Sequence, residues 1–294
     1  MKTFKSSSAQ FSLVLTFWAL VSLGILSFLM VVVAKLNFSF FEANGMLRDD
    51  FMREALAHQL FLAIDPMFFV LLLLGLVGVA VVTFLFARSQ CGYVERMKHS
   101  LQLYAERLEI PPVAGLGPLA MHMADFLEVI HLRVKRDSKE KIDEAVEKAL
   151  RDWPQAPKIS MNDMFQFIVL SLFIAMFFAI CCVTFFLQVS NRIVELGQTV
   201  ARYTTPAGPR FLQAQYELVN LLMWSIIGVT GAAFVIHGYR FGRRLSESNY
   251  ALLRDLRKFM QGDFNQRLFL RTNDPVSEQV PPMNDALSRI QKKL

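Results

Sequence analysis

Four stretches of the chain carry no Asp, Glu, Lys or Arg: Ser6 to Ala34, Pro66 to Ala87, Met164 to Asn191 and Leu218 to Tyr239. Each reaches the roughly 20 residues that an α-helix needs to cross about 30 Å of hydrocarbon, so each predicts a membrane span. Lys2 and Lys5 precede the first run as they would precede a signal peptide. Its apolar stretch, however, far exceeds the roughly 7 to 15 residues of a signal h-region, so it reads as a retained anchor.

Beyond the spans the pattern becomes amphipathic. After span four, Leu245, Asn249, Leu252, Leu256 and Phe259 step by 4, 3, 4, 3, the seam of a helix packed in a coiled coil. Gly262 is expected to end that helix in the left-handed conformation. Leu268 and Leu270 then alternate with Arg267, Phe269 and Arg271, as in an extended connector lying on helices. Val276, Val280, Met283, Leu287, Ile290 and Leu294 resume steps of 4, 3, 4, 3, 4. After span two, a similar seam runs through Val94, Met97, Leu101, Tyr104 and Leu108, and then through Leu119, Met123, Phe126 and Ile130. Ser138 to Trp153 reads as a return helix with Ile142, Val146 and Leu150 on one face and a solvated charged face opposite.

The chain repeats itself. Residues 74–82 (LGLVGVAVV) lie over residues 227–235 (IGVTGAAFV) at an offset of 153, placing Gly75 and Gly78 over Gly228 and Gly231. Small residues on a membrane helix let a neighbouring backbone approach, so these four glycines are candidate helix-packing positions, with local bends as the alternative. Each copy is expected to hold a membrane hairpin followed by cytoplasmic helices. The segments are 1–87, the first transmembrane hairpin with a short external loop; 88–160, cytoplasmic helices plus the return helix; 161–240, the second hairpin; and 241–294, the C-terminal helices. Turn chemistry sits at Asn44-Gly45 and in residues 204–209 (TTPAGP). Residues 46–64 and 191–202 read as helix, which leaves little room outside for a folded ligand-binding domain.

Composition agrees with the membrane class: 54% of 294 residues are hydrophobic and 27 are Phe. Charge sets the topology. Lys and Arg number 2 in residues 1–5, 3 in loop 35–65, 12 in loop 88–163, 3 in loop 192–217 and 11 in the tail from Arg240. The positive-inside rule therefore puts both chain ends in the cytoplasm. A net charge of +6 is then explained by topology and lipid headgroups, and no nucleic-acid partner is expected. Cys91, Cys181 and Cys182 lack the spacing of a metal or redox site and read as packing residues.

The tail, residues 240–294, resembles the HAMP linker family of bacterial sensors and transducers. In that family a helix leaves a membrane span, a Gly-Asp step and a connector follow, an Asp-Glu opens a second helix, and a Phe-Asn-x-Met-like core comes further on. The matching residues are Gly262, Asp263, Asp274, Met283, Asn284 and Leu287, and Asp274 to Asn284 keeps the family's spacing. The stretch after span two resembles a worn copy, with residues 109–118 (EIPPVAGLGP) in place of the connector and no Gly-Asp or Asp-Glu. Two departures stand out in the tail. Pro275 replaces Glu, and Pro281-Pro282 fall inside the expected second helix, which is therefore expected to start only at Pro281.

The resemblance implies a parallel four-helix bundle, made by a homodimer in the family. Two copies in one chain point here to an intramolecular pseudo-dimer, with a conventional homodimer as the alternative. The expected fold is thus an all-α integral membrane protein with four transmembrane helices as two repeated hairpins and a HAMP-like cytoplasmic bundle.

Nothing in the pattern suggests catalysis, a metal or a cofactor. His58, His99, His122, His131 and His237 are scattered without helical zinc-site pairing, and His122 and His131 read as surface residues. The glycine pairs lie in spans and cannot cradle phosphate. Two functions remain. One is a non-enzymatic transducer relaying membrane-helix motion to a protein partner in trans; the other is an accessory subunit of a larger membrane assembly, using the same helices for docking. A transporter ranks third, because no span carries a mid-membrane ionisable residue.

Overall fold

A computed structural model describes residues 7–43, 45, 54, 66–112, 119–153, 161–201, 207–272 and 274–294. Seven α-helices account for most of them: α1 Ser7–Ala43, α2 Pro66–Arg107, α3 Ala120–Val134, α4 Lys139–Asp152, α5 Met161–Ala201, α6 Ala207–Met260 and α7 Val280–Gln291. A 3₁₀ turn at Ser277–Gln279 precedes α7, and no strand occurs among the described residues. Four of the helices, α1, α2, α5 and α6, are long and apolar enough to cross a membrane.

All four run on past their apolar stretches, α1 to Ala43 and α5 to Ala201. α2 continues to Arg107, and α6 has 54 residues, about 80 Å at 1.5 Å per residue. No proline or glycine pair interrupts either helix after its span, so neither has a cause to break until Leu108 and Gly262 take positive φ. The predicted helix at 191–202 is present as the end of α5 up to Ala201, and Gly45 takes φ +70 in a turn closed by Gly45 N–H to Glu42 O at 3.0 Å. The predicted helix at 46–64 lies outside the described residues apart from Glu54, which is helical.

The chain forms two compact units. One consists of Leu13–Val82 and Val169–His237. Its surface carries exposed Phe28, Leu73, Phe173 and Leu221, as suits helices long and apolar enough to cross a membrane. Its polar groups pair inside. Ser22 Oγ donates to Trp18 O at 2.8 Å, which leaves Thr230 Oγ1 as the donor in the buried 2.6 Å contact between the two hydroxyls. Gln215 Nε2 donates to Val33 O at 3.3 Å, and Phe40 stacks on Phe211 at 4.1 Å with the rings 3° from parallel.

The other unit consists of Met1–Ser12, Thr83–Ile168 and Gly238–Leu294. Each of the four long helices gives it a phenylalanine. Phe167 lies 5.5 Å from Phe11, 5.0 Å from Phe86 and 5.1 Å from Phe241, and Phe11 lies 4.6 Å from Phe241. Edge and tilted ring contacts at such distances add specificity to apolar burial. Gly242 admits a close approach of the α5 backbone, since a Cβ there would meet the Met164 Cα at 3.2 Å. Thr83 Oγ1 donates to Ser12 Oγ at 3.0 Å, and Gln90 Nε2 to Gln166 Oε1 at 2.9 Å. Beyond this cluster the remaining helices of the same unit share an apolar core.

Candidate functional site

The core of this second unit is built from the stripes that step by three and four. Val94, Met97, Leu101 and Tyr104 of α2 are buried, as are Leu119, Met123, Phe126 and Ile130 on and just before α3. So are Leu245, Leu252, Leu256 and Phe259 of α6, and Val276, Val280, Met283, Leu287 and Ile290 on and before α7. Leu108, Asn249 and Leu294 are only half-buried. Asn249 is the polar member of the α6 stripe, and its Oδ1 is buried without a partner.

The end of α6 follows from one glycine. Gly262 sits at φ +111, its N–H donating to Phe259 O at 3.1 Å, while Asp263 N–H reaches back to Lys258 O at 3.1 Å. This pair of bonds is the Schellman closure, and it takes up carbonyls the helix would otherwise leave open. Phe264 then packs edge-on against Phe259 at 5.4 Å.

The connector that follows is held on two sides. Asn284 of α7 takes both main-chain groups of Leu268: its Oδ1 accepts from Leu268 N at 2.8 Å and its Nδ2 donates to Leu268 O at 3.0 Å. One residue on, Phe269 N donates to Asp255 Oδ2 of α6 at 3.1 Å. Asp255 is 1% exposed, and its other oxygen accepts from Arg254 Nε and Nη2 at 3.0 and 2.9 Å. Leu268 points inward and is buried, while Phe269 is 71% exposed. Arg267 braces the same stretch, donating to Phe264 O at 2.9 Å and to Gln291 Oε1 at 2.7 Å.

Asp274 belongs to the next turn, its Oδ2 accepting from Arg271 N at 3.0 Å. The helix after it does not begin at Pro281 but one residue earlier, at Val280. Pro281 and Pro282 fall in its first turn, where N–H groups have no intrahelical acceptor, so neither proline costs a hydrogen bond.

Two cations close the free ends of α6 and α2. Arg133, at the end of α3, donates through Nη2 to Met260 O at 3.0 Å and lies 5.4 Å over the Phe264 ring. Lys293, just past α7, donates to Ala105 O at 2.7 Å. A cation at a helix C-terminus meets the negative end of the dipole as well as an orphan carbonyl. Burial pushes the Arg133 guanidinium below its ordinary value, opposed by the Asp143 carboxylate, but an arginine stays charged at any physiological pH. The exposed Asp137 is held below the usual carboxylate range chiefly by the Ser138 N–H.

α3 and α4 pack against one another, joined through Arg136 at φ +55. Ile142, Val146 and Leu150 are half-buried, and burial on α4 is greatest at Ala149 and at Trp153 just past its end. The Trp153 indole donates to Leu253 O of α6 at 3.1 Å. The two histidines expected at the surface are half-buried instead. His122 packs its ring 5.1 Å from Trp153, and His131 Nδ1 lies 3.5 Å from Tyr104 Oη. An imidazole has an apolar face that a neighbouring aromatic covers, which a scattered-histidine pattern does not reveal.

Among the membrane glycines, a Cβ at Gly75 would meet the Phe177 ring at 3.1 Å and one at Gly231 would meet Ala175 Cβ at 3.7 Å. Gly78 and Gly228 have nothing within 4 Å. Asp255, Arg133, Lys293, Trp153 and Gly242 had no motif to flag them. The one available signal was that Trp153 is the only tryptophan outside the apolar runs. Among the described residues, no group of His, Cys, Asp and Glu could hold a metal ion. In comparisons with known proteins, the chain matches no family model, no curated sequence and no solved structure.

Proposed function

We propose that the chain is a non-enzymatic transducer of the bacterial inner membrane. It relays motion of its membrane helices through HAMP-like cytoplasmic helices to a protein partner in trans. The observation that carries this reading is the connector clasp: Asn284 and Asp255 tie the connector to both α6 and α7. A rotation or slide of α6 must then either drag the connector or break hydrogen bonds to buried groups, so the arrangement favours discrete states over gradual deformation. α6 supplies the input arm, since it runs without a break from Ala207 to Met260. Reciprocal end-capping supports a fused pseudo-dimer, because Lys293 and Arg133 each close the first helix of the opposite copy.

A photo-crosslinking residue in place of exposed Phe269 tests the relay. One alanine inserted after Arg243 turns the helix below it by about 100° without adding a breaker. A relay predicts that partner capture changes several-fold on insertion while expression and membrane insertion hold. Unchanged capture would favour the second reading, an accessory subunit that only docks, which the 71% exposure of Phe269 on a rigidly held connector also suits.

A further inference from the structure

A second feature lies on the outward face of α2, where the helix leaves its apolar run at Ala87. Leu85, Arg88, Gly92, Arg96, Lys98 and His99 help line a depression of about 630 Å³, with Glu95 the one carboxylate in its wall. Among the described residues no carboxylate forms an ion pair with Arg88, Arg96 or Lys98. Arg96 is held by the Tyr93 ring, 5.1 Å beneath its guanidinium, and its Nη1 lies 4.0 Å from where a Cβ on Gly92 would stand. Side chains on a helix lean toward its N-terminus, which on α2 is the membrane side. Arg96 therefore reaches back over the bare backbone of Gly92 toward Arg88.

The distances suit a lipid headgroup. Arg96 stands nine residues past Ala87, about 13 Å along the axis, and leaning back one turn of about 5 Å brings its guanidinium to about 8 Å. That is the outer part of a headgroup layer roughly 5 to 8 Å thick on each face of the bilayer. Arg88 lies at its inner part, next to the exposed side chain of Leu85.

The corresponding face of α6 shows the opposite arrangement. Buried stripe positions of α2 and α6 correspond at 155 residues, Met97 with Leu252 and Tyr104 with Phe259, so Arg88 corresponds to Arg243 and Gly92 to Glu247. Glu247 fills the floor and takes Arg243 Nε at 2.8 Å. Only the α2 face combines open space, unpaired cations and an adjoining apolar side chain.

We propose that this depression binds one anionic phospholipid, with the phosphate between Arg88 and Arg96 over Gly92 and the acyl chains leaving past Leu85. The proposal rests on α2 crossing a bilayer, which topology reporters test separately, and it is independent of the relay.

The full chain in neutral detergent is titrated with fluorescent phosphatidylglycerol, with phosphatidylcholine as reference and inorganic phosphate as competitor. Arg88→Gln with Arg96→Gln should weaken phosphatidylglycerol binding about 25-fold, at about fivefold per cation near a membrane surface. Arg243→Gln with Arg244→Gln removes the same charge and should change it less than threefold. Gly92→Leu keeps the charge and, in an ordinary helical position, the fold; it should cost about fivefold with unchanged thermal unfolding. Equal losses in the two double variants, or wild-type binding by Gly92→Leu, would overturn the site. Displacement of the lipid by millimolar phosphate would overturn the lipid assignment in favour of a free-anion site.

Discussion

Asn284 and Leu268, sixteen positions apart, satisfy each other as two paired strands would, one amide giving and taking against the main chain of the other. Asparagine is the only residue of its length that can do both. Aspartate lacks the donor, and leucine lacks both groups. Asn284→Ala leaves a main-chain N–H and a C=O without partners beside a buried side chain, at about 1 to 3 kcal/mol for each group kept from water. Asn284→Asp should recover less than half of the loss, since it restores the acceptor but sets a carboxylate against Leu268 O. Thermal unfolding of the full chain in detergent checks both. Wild-type stability in the alanine variant would show that the connector is held elsewhere.

The apolar core below it gives a sharper contrast. Leu287 is 1% exposed, so Leu287→Asp buries an unpaired carboxylate and should cost several kcal/mol. Lys292 is exposed, five residues further on and off the stripe, and Lys292→Asp should be near neutral. Equal behaviour of the two in thermal unfolding would mean that the stripe is not a dry core.

What the sequence made legible is what a period can encode. Steps of three and four pick out one side of a helix, and Met97, Leu101, Leu256, Met283 and Ile290 lie buried as that spacing requires. Pairing between helices leaves no such trace. Asp255 reads as a solvent-facing acid until the Phe269 N–H is seen to reach it, and Arg133 and Lys293 look like any cation near a helix end. The glycines show the limit of a local match. Gly75 and Gly228 superpose at 153, yet only Gly75 has a neighbour, because the buried faces of α2 and α6 correspond at 155 and two residues turn a helix by about 200°.

Backbone strain separates two of the glycines. At Gly262 the φ of +111 is one that L-residues rarely adopt, while the nearest atom to an added Cβ is 3.8 Å away. Gly262→Ala should therefore cost about 1 to 3 kcal/mol through conformation alone. Gly78 is helical with open space around it, so Gly78→Ala should be neutral or gain up to about 1 kcal/mol of helix propensity. The same unfolding measurement distinguishes them, and a neutral Gly262→Ala would remove the Schellman closure as the reason α6 ends there.

Topology is open to a direct test. With four spans and the basic segments inside, reporters fused after Asn44 and after Ala207 should score as external, and one after Gln155 as cytoplasmic. An external signal at Gln155 would reverse every cytoplasmic assignment, including the lipid site at Arg88 and Arg96.

Whether one chain completes its own core turns on two helix caps. Ala105 and Met260 are the carbonyls that receive Lys293 and Arg133, and they stand 155 positions apart, the same interval that relates Met97 to Leu252. On the fused reading proposed above, such contacts would close the arrangement within a single polypeptide, and covalent linkage would remove the need for either copy to be self-complementary. A homodimer using the same surfaces would have to break both caps and exchange them between chains. In a background without Cys91, Cys181 and Cys182, cysteine pairs at Leu101 with Leu256 and at Phe126 with Leu287 should therefore cross-link within one chain, at a yield that does not fall on dilution. Lys293→Gln and Arg133→Gln, each removing one charge-assisted cap worth about 0.3 to 2 kcal/mol, should lower stability without raising the fraction of cross-links between differently tagged chains. If cross-links form only between chains, the four helices belong to two molecules and the fused arrangement is wrong.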